Sequence, residues 1–261
     1  MKPCQAVLPT SGAPFAFQKA NVEGGRVTER LPFTIRVVET ETDLWKAVRM
    51  RHAAYARHVP EFAQALSAPE EADYDDDAVV FLAESKLDGS VLGTARMQTN
   101  LHQALQVEHS AELPSWLQGR PLAEMSRLGV DNGRVGRVVK TALLKAGVLY
   151  CQQNGIDYAL ATGRAPLDRQ YEQLTFVDVF PEVGYVPLRH VGNIPHRVMA
   201  FDITTIEKRW SALAHPLLAF FCHTHHPDID VGKPLRPLTR LAGARPRAVA
   251  PAPMECALEA V

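Results

Sequence analysis

Hydrophobic and polar positions change period repeatedly between residues 33 and 232, and each change marks an element. Phe33 to Val38 reads as a strand, after which Thr40 or Thr42 can cap a helix carrying Leu44, Val48, Arg51 and Tyr55 at spacings of four, three and four. Two short apolar runs, Val79 to Ala83 and Val91 to Gln98, flank Asp88-Gly89, the strongest hairpin signal in the chain, which predicts an antiparallel pair. Leu122 to Val130 is a further strand. The turn Asp131-Asn132-Gly133 then opens a helix with Val135, Val138, Val139, Ala142, Ala146 and Leu149 at helical spacing. Ile156 to Thr162 follows as a strand, and Pro166 suits the first turn of a helix ending near Leu174. Val183 to Val186 and Val198 to Ile203 form a last strand pair, and Thr204 caps a final helix with Trp210 and Leu213.

Strands alternating with helices, joined partly by hairpins, define an α/β or α+β domain. Residues 1 to 32 and 233 to 261 lack a periodic apolar face and read as tails around one catalytic domain, residues 33 to 232. A chain of 261 residues with 46% hydrophobic content buries a sizeable single core. The net charge of -1 supplies no field that would recruit nucleic acid or an anionic membrane. The apolar run of a secretory signal is missing, and no stretch reaches the roughly 18 to 20 apolar residues of a membrane span, so the expected location is cytoplasmic. Cys4, Cys151, Cys222 and Cys256 form no C-x-x-C pair, and His223, His225 and His226 lack a matching carboxylate or cysteine spacing, so neither a disulfide framework nor a metal site is expected.

The charged residues that interrupt apolar elements carry the candidate chemistry. Arg51 sits on an otherwise apolar helix stripe, and a buried guanidinium without a carboxylate costs several kcal/mol or more. The nearest dense source of carboxylates is the run Glu70, Glu71, Asp73, Asp75, Asp76 and Asp77; contact of Asp73 or Asp76 with Arg51 would separate a site from a solvated acidic loop. Arg96, Glu124 and Arg127 lie within largely apolar strands. In a regular strand Glu124 and Arg127 point to opposite faces, so they share one cleft only across a β-bulge; otherwise they belong to a structural ion-pair network. Gly133-Arg134-Val135-Gly136-Arg137, with Lys140 beyond it, is a weak Gly-rich turn at a helix start, where backbone N–H groups can bind a phosphate and the cations can dock an acidic carrier or face solvent. With no G-x-S-x-G elbow, and Cys151 inside a helix pattern, a covalent acyl-enzyme is disfavoured.

In order, Arg51-x-x-x-Tyr55, Asp73-x-x-Asp76, Gly93-x-x-Arg96 and Glu124-x-Ser126-Arg127 resemble the motifs of N-acyl homoserine lactone synthases, and the wider chain, over residues 33 to 230, is still more similar to the N-acyl amino acid synthases of the FeeM type. The resemblance implies an acetyltransferase-like (GNAT) fold with a mixed, largely antiparallel sheet flanked by helices. It implies transfer of a long acyl chain from acyl carrier protein to the amine of an amino acid, with no covalent intermediate and no tightly bound cofactor. Under it, Arg51, Tyr55, Asp73, Asp76, Arg96 and Ser126 bind the acceptor, while Glu124 and Arg127 flank the reacting amine. Tyr171, in Tyr171-x-x-Leu174-Thr175-Phe176, protonates the leaving thiolate or else is a packed core residue. Arg134, Gly136, Arg137 and Lys140 receive the phosphopantetheine of the carrier.

Two departures narrow this reading. Glu61 stands where a lactone synthase has Trp, and Met97-Gln98-Thr99 replaces its Leu-Leu-Pro-Thr, which weighs against an S-adenosylmethionine acceptor. Gly133 to Arg137 lacks the R-x-x-G-x-G spacing of a coenzyme A pyrophosphate cradle, which favours acyl carrier protein over acyl-CoA as donor. The competing readings are a lactone synthase, a short-chain acetyltransferase and a non-catalytic module that binds acyl carrier protein.

Overall fold

The computed structural model describes residues 21–23 and 26–233. A short pair, β1 (Asn21–Glu23) and β2 (Arg26–Thr28), precedes β3 (Phe33–Val37) and the helix α1 (Glu41–Ala56). Thr40 is the residue that caps α1, its hydroxyl accepting from the Asp43 N–H at 3.2 Å. After the short helix α2 (Pro60–Ala63) come β4 (Ala78–Ser85), β5 (Val91–Thr99) and β6 (Leu122–Val130). The long helix α3 (Gly133–Gln153) leads to β7 (Tyr158–Gly163) and α4 (Leu167–Gln173). The chain then forms β8 (Val177–Asp178), β9 (Val186–Leu188), β10 (Ile194–Asp202), α5 (Ile206–Ala212) and β11 (Thr224–His225).

The main sheet runs β3-β4-β5-β6-β7-β10-β8, with β9 also on β10, and its one parallel pair is β6 with β7. Alternation along β4 sorts the core. Val79, Phe81 and Ala83 join the cluster of α3, whereas Val80 and Leu82 pack with Leu44, Ala47 and Val48 of α1. Close approach of both helices requires glycine. A Cβ on Gly93 would stand 2.8 Å from Val139 Cγ1 of α3, and one on Gly129 3.0 Å from Ala54 Cβ of α1. The two central strands are thus clamped between helices, and charged side chains on their α1 face are sealed from water.

Three differences from the sequence reading concern chain ends and weak periods. The last strand pair is Val186–Leu188 with Ile194–His196, shifted along the chain from Val183 to Val186, because Val183 and Tyr185 fall in an exposed turn. Thr204 does not cap the final helix; its hydroxyl and that of Thr205 both donate to Asp202. Residues 21–28 lie within the stretch read as a tail, yet β2 pairs in parallel with β11. Arg30 and the Leu31 N–H both donate to the buried Asp228 carboxylate, at 3.0 and 2.8 Å. Strands of three residues are too short to show a period. Phe15 and Phe17, Cys4 and Cys256, and the stretch after 233 lie outside the described residues. Deleting residues 1–30 should lower the melting temperature, by about 2–4 °C for each kcal/mol of pairing removed; an unchanged calorimetric transition would show that β2 contributes nothing.

Candidate active site

The site begins with an irregularity in β6. Arg96 pairs with Ser126 and Gln98 with Glu124, but the register shifts between Thr94 and Arg96, so Arg127 and Leu128 together stand opposite Ala95. Arg127 takes a positive φ of 54°, a left-handed conformation that an arginine enters only when its surroundings hold it there. The bulge reverses the direction of its side chain. Glu124, Ser126 and Arg127 consequently all face α1, as a bulge and not a regular strand allows. Beyond Met125 and Ala161 the pairing of β6 with β7 ends although both strands continue, so Ser126–Val130 and Thr162–Gly163 flank a gap in the strand ladder.

Three buried guanidinium groups meet two carboxylates on the α1 face. Arg51, 0% exposed, donates from Nη1 and Nη2 to Asp73 at 2.9 Å each and from Nη1 to Glu70 at 3.0 Å. Arg96 reaches Glu70 and Asp73 at 3.2 Å each and donates from Nε to Ser126 Oγ at 3.2 Å. Arg127 holds Glu70 in a two-point fork, Nε and Nη2 each at 2.6 Å, and its guanidinium lies 5.2 Å over the Phe62 ring. A 3-10 turn, Glu71–Asp73, presents the two carboxylates side by side, and the Asp73 carboxylate also accepts from the Glu70 N–H at 2.8 Å. Burial pushes both carboxyl pKa values up, but Arg127 acting on Glu70 and Arg51 acting on Asp73 bring each below its ordinary value. Three cations against two anions leave one positive charge in the cluster.

Glu124 adjoins this cluster in a different state. It is 1% exposed, its Oε2 accepts from the Val107 N–H at 3.0 Å, and its Oε1 has no hydrogen-bond partner. Burial drives its pKa up, opposed by the Val107 N–H and by Arg96 and Arg127. Oε1 faces His190 Nε2 at 3.6 Å, and the His190 carbonyl accepts from Arg127 Nη2 at 3.1 Å. Burial, reinforced by Arg127 and Arg96, pulls the His190 pKa down to about 4, so the ring is neutral near pH 7.

Tyr171 lies beside the gap on α4. Its ring packs on Phe176 at 5.1 Å, and a Cβ on Gly163 would come within 3.1 Å of it. Burial raises its phenol pKa, with a contribution from Tyr55, which also acts on Arg127. Tyr55 itself packs on Phe62, 5.9 Å between centroids. At the start of α3, Gly136 is fixed by packing: a Cβ there would fall 1.8 Å from the Asp131 carbonyl oxygen. Arg134 and Arg137 are exposed, while Lys140 is half-buried and donates to Gln170 of α4. The Asn132 side chain does not cap α3, so the first-turn N–H groups lack that partner.

The structure therefore brings together Arg51, Asp73, Arg96, Glu124, Ser126 and Arg127, with Tyr55 and Tyr171 at the margin, and leaves Asp76 outside. Asp76 is exposed in the turn that follows Asp73, and Glu70 occupies the place expected of it. Glu70 and Asp73 are three residues apart across one helical turn, a spacing present in the acidic run but shared by other pairs within it. His190 carried no sequence signal, since its position depends on where the chain after β9 returns. The late histidines go separate ways. His223 meets Glu207 at 3.1 Å, His226 Nδ1 accepts from Lys145 Nζ at 2.7 Å, and His225 is exposed. Among the described residues no group of three or more His, Cys, Asp or Glu is arranged to hold a metal, and no helix is long and apolar enough to cross a membrane. Cys151 is buried in α3, its thiol pKa pushed up to about 12, unfit for nucleophilic attack.

A sheet packed between two helices, with a bulged central strand that parts from its neighbour, is the architecture of an acetyltransferase-like fold, and here it carries a buried cluster of charged side chains on the α1 face. Residues 46–200 match the family described as N-acyl amino acid synthase FeeM, and the chain belongs to that family of N-acyltransferases. The solved structure of FeeM, an N-acyl amino acid synthase from uncultured soil microbes, is 21% identical with a TM-score of 0.53, covering 72% of this chain and 96% of that one. A CoA-dependent acyl-homoserine lactone synthase, BjaI, solved with MTA, is 19% identical with a TM-score of 0.48, over 74% of this chain and 93% of that one. Mycothiol acetyltransferase of Propionibacterium freudenreichii subsp. shermanii is 28% identical over 159 residues, 60% of this chain and 47% of that one; the chain thus matches about half the length of that relative.

Removing one partner of a buried ion pair strands the other charge, at a cost of about 3–5 kcal/mol. Asp73→Asn, which leaves Arg51 and Arg96 to Glu70 alone, should therefore show a marked loss of stability by chemical denaturation. Because the folded pKa values of Glu70 and Asp73 lie below their unfolded ones, the stability they contribute is present above about pH 4 and is lost as pH falls through the folded values. The acid limb of stability against pH should flatten in Asp73→Asn. An unaltered limb would mean that the cluster does not govern acid unfolding.

Proposed function

We propose that the protein is a cytoplasmic N-acyl amino acid synthase, with the residues of residues 33–232 as its catalytic unit, an acyl carrier protein thioester as donor and a free amino acid as acceptor. The observation that carries this reading is the buried cluster of three guanidiniums and two carboxylates beside Glu124: its unbalanced positive charge suits an acceptor carboxylate, and the bare Oε1 suits the adjacent ammonium. An acceptor bearing both groups on one carbon would match this pairing of charges.

In the reaction, Glu124 takes a proton from the ammonium and later releases it to solvent, the freed amine attacks the thioester carbonyl, and the second proton that leaves nitrogen as the amide forms restores the phenol of Tyr171. The C–N bond forms, the C–S bond breaks, and Tyr171, whose phenol is held protonated by burial, gives its proton to the departing thiolate. Unpaired backbone N–H groups of β6 along the gap supply candidate donors to the oxyanion. No enzyme nucleophile is needed. Arg134, Arg137 and the uncapped start of α3 favour a phosphopantetheine phosphate and the acidic surface of a carrier.

The alkyl chain has a fitting neighbour. A small apolar cavity of about 30 Å³ lies between α3 and the sheet, lined by Met97, Met125, Gly147, Phe176 and Trp210 among others. It is far smaller than a long chain, but two flexible methionines border it, and a Cβ on Gly147 would sit 2.5 Å from Met125 Cε. Rotation of Met97 and Met125 would lengthen the cavity along the missing side chain of Gly147.

Two measurements test the reading. Mass spectrometry of lipid extracts from expressing cells should find an N-acyl amino acid, and kinetics should show long-chain acyl carrier protein used faster than the matching acyl-CoA; preference for acetyl-CoA would overturn the long-chain assignment. Glu124→Gln should lower kcat roughly 100-fold or more while the protein stays folded, the usual share of a general base. Undiminished turnover by the folded variant across pH would remove Glu124 from the chemistry.

A further inference from the structure

His190 lies outside every role assigned above, yet the geometry around it is specific. Its imidazole is 7% exposed, and Nε2 stands 3.6 Å from Glu124 Oε1, itself buried and without a hydrogen-bond partner. The opposite ring nitrogen, Nδ1, is also buried without a partner. The backbone of His190 is tied to the same site, since its carbonyl accepts from Arg127 Nη2 at 3.1 Å. It lies in a one-turn helix, Arg189–Val191, that ends at Gly192 with a left-handed φ of 71°. The loop is thus anchored at the guanidinium that anchors Glu70, and its side chain is aimed at the second oxygen of the proposed base.

Two neutral-ring arrangements are open to such a histidine. If Nε2 lacked its proton, a lone pair would face the Oε1 lone pairs of an ionised Glu124, an arrangement that costs energy in a dry site. If Nε2 carries the proton, it points an N–H at Oε1 from 3.6 Å, just beyond hydrogen-bond length, and Nδ1 is left as an acceptor. From this geometry we infer that His190 is a positioning residue for Glu124: its Nε2–H closes on Oε1 when the acceptor enters, so that the carboxylate is held ionised and oriented by Val107 N–H on one oxygen and by imidazole on the other. A separation of 3.6 Å is one short rotation from hydrogen-bond length, and such contacts commonly tighten on substrate binding. The inference rests on the role of Glu124 as base.

The charges that face the pair limit what pH can do. Arg96 from β5, Arg127 from β6 and Glu108 from the loop before β6 act on Glu124; Arg127, Arg96, His196 from β10 and Glu70 act on His190. None of these is removed by a change at position 190. A donor to a carboxylate favours its charged form, so loss of the imidazole should move Glu124 ionisation to higher pH.

The test compares His190→Phe, which removes the donor, with His190→Gln, whose side-chain amide can place an N–H where Nε2 lies. In the full-length protein His190→Phe should shift the acid limb of kcat/KM upward by at least one pH unit, so that its deficit is about tenfold or more at low pH and shrinks as pH rises. KM for the acyl donor should not change, and His190→Gln should return the limb close to the wild-type position. A uniform loss at every pH, equal in both variants, would reduce His190 to packing and overturn the inference. A readout independent of turnover separates this failure from failure of the functional reading: nitrogen NMR of the wild-type protein should report the Nε2–H tautomer for His190, and carboxyl-carbon NMR should show Glu124 titrating at higher pH in His190→Phe. The Nδ1–H tautomer, or an unmoved Glu124 titration, overturns the inference even where no acyl donor and acceptor pair is turned over. Absence of turnover together with the expected NMR behaviour would instead overturn the assigned reaction and leave the pairing supported.

Discussion

Glu70 is the residue on which the site depends. Its one carboxylate accepts from Arg51, Arg96 and Arg127, which come from a helix and from two neighbouring strands. Without an anion at this point three guanidiniums packed into a dry space would repel one another by several kcal/mol, and α1 could not lie down on β5 and β6. Asp73 completes the neutralisation of Arg51 but does not reach Arg127. The side chain of Glu70 retains 23% exposure, so the residue that organises the interior stands at its edge, while the three guanidiniums lie behind it.

From this anchor the rest of the geometry follows. A fork onto Glu70 holds Arg127 in a left-handed conformation, and that conformation is the bulge that turns one strand residue toward the face of Glu124. The bulge sits where β6 parts from β7, so one local distortion turns Arg127 onto the face that carries Glu124 and lies beside the gap in the strand ladder. The apolar face is organised separately: α3 packs through Gly93 and Gly147, and the cavity near Met125 lies on the side of the sheet away from the guanidiniums. Polar acceptor and apolar chain would then meet only across the central strands.

Much of this was readable in the chain. The apolar periods placed the strands and long helices, and the demand of Arg51 for a carboxylate led to the acidic run, because a charge on an apolar stripe has few physical escapes. The alternation rule even stated the condition under which Glu124 and Arg127 share a face, though not that the condition is met, since a bulge at a non-glycine leaves no compositional trace. The choice among six neighbouring carboxylates was not readable, because it depends on how a short 3-10 turn seats against α1; Glu70 was favoured over Asp76 by three-dimensional packing alone. Nor was His190, which is brought in from 66 residues beyond Glu124. Short strands such as β2 were lost for want of a period.

Position 127 is asked for two incompatible things. Its backbone is of a kind that glycine or asparagine adopts at least cost, whereas its side chain must be a planar, permanently charged fork. Glycine there would relax the strand and also cancel the surplus positive charge, leaving two guanidiniums for two carboxylates. Such a change would relieve the backbone but strip Glu70 of its two-point fork and empty the space over Phe62, so the strain at this residue is held in place by the ion pairing that it makes possible. Backbone ease and side-chain charge are therefore not separable at this position, and a residue that satisfies only one of the two demands would undo the strand bulge or the cluster that holds it.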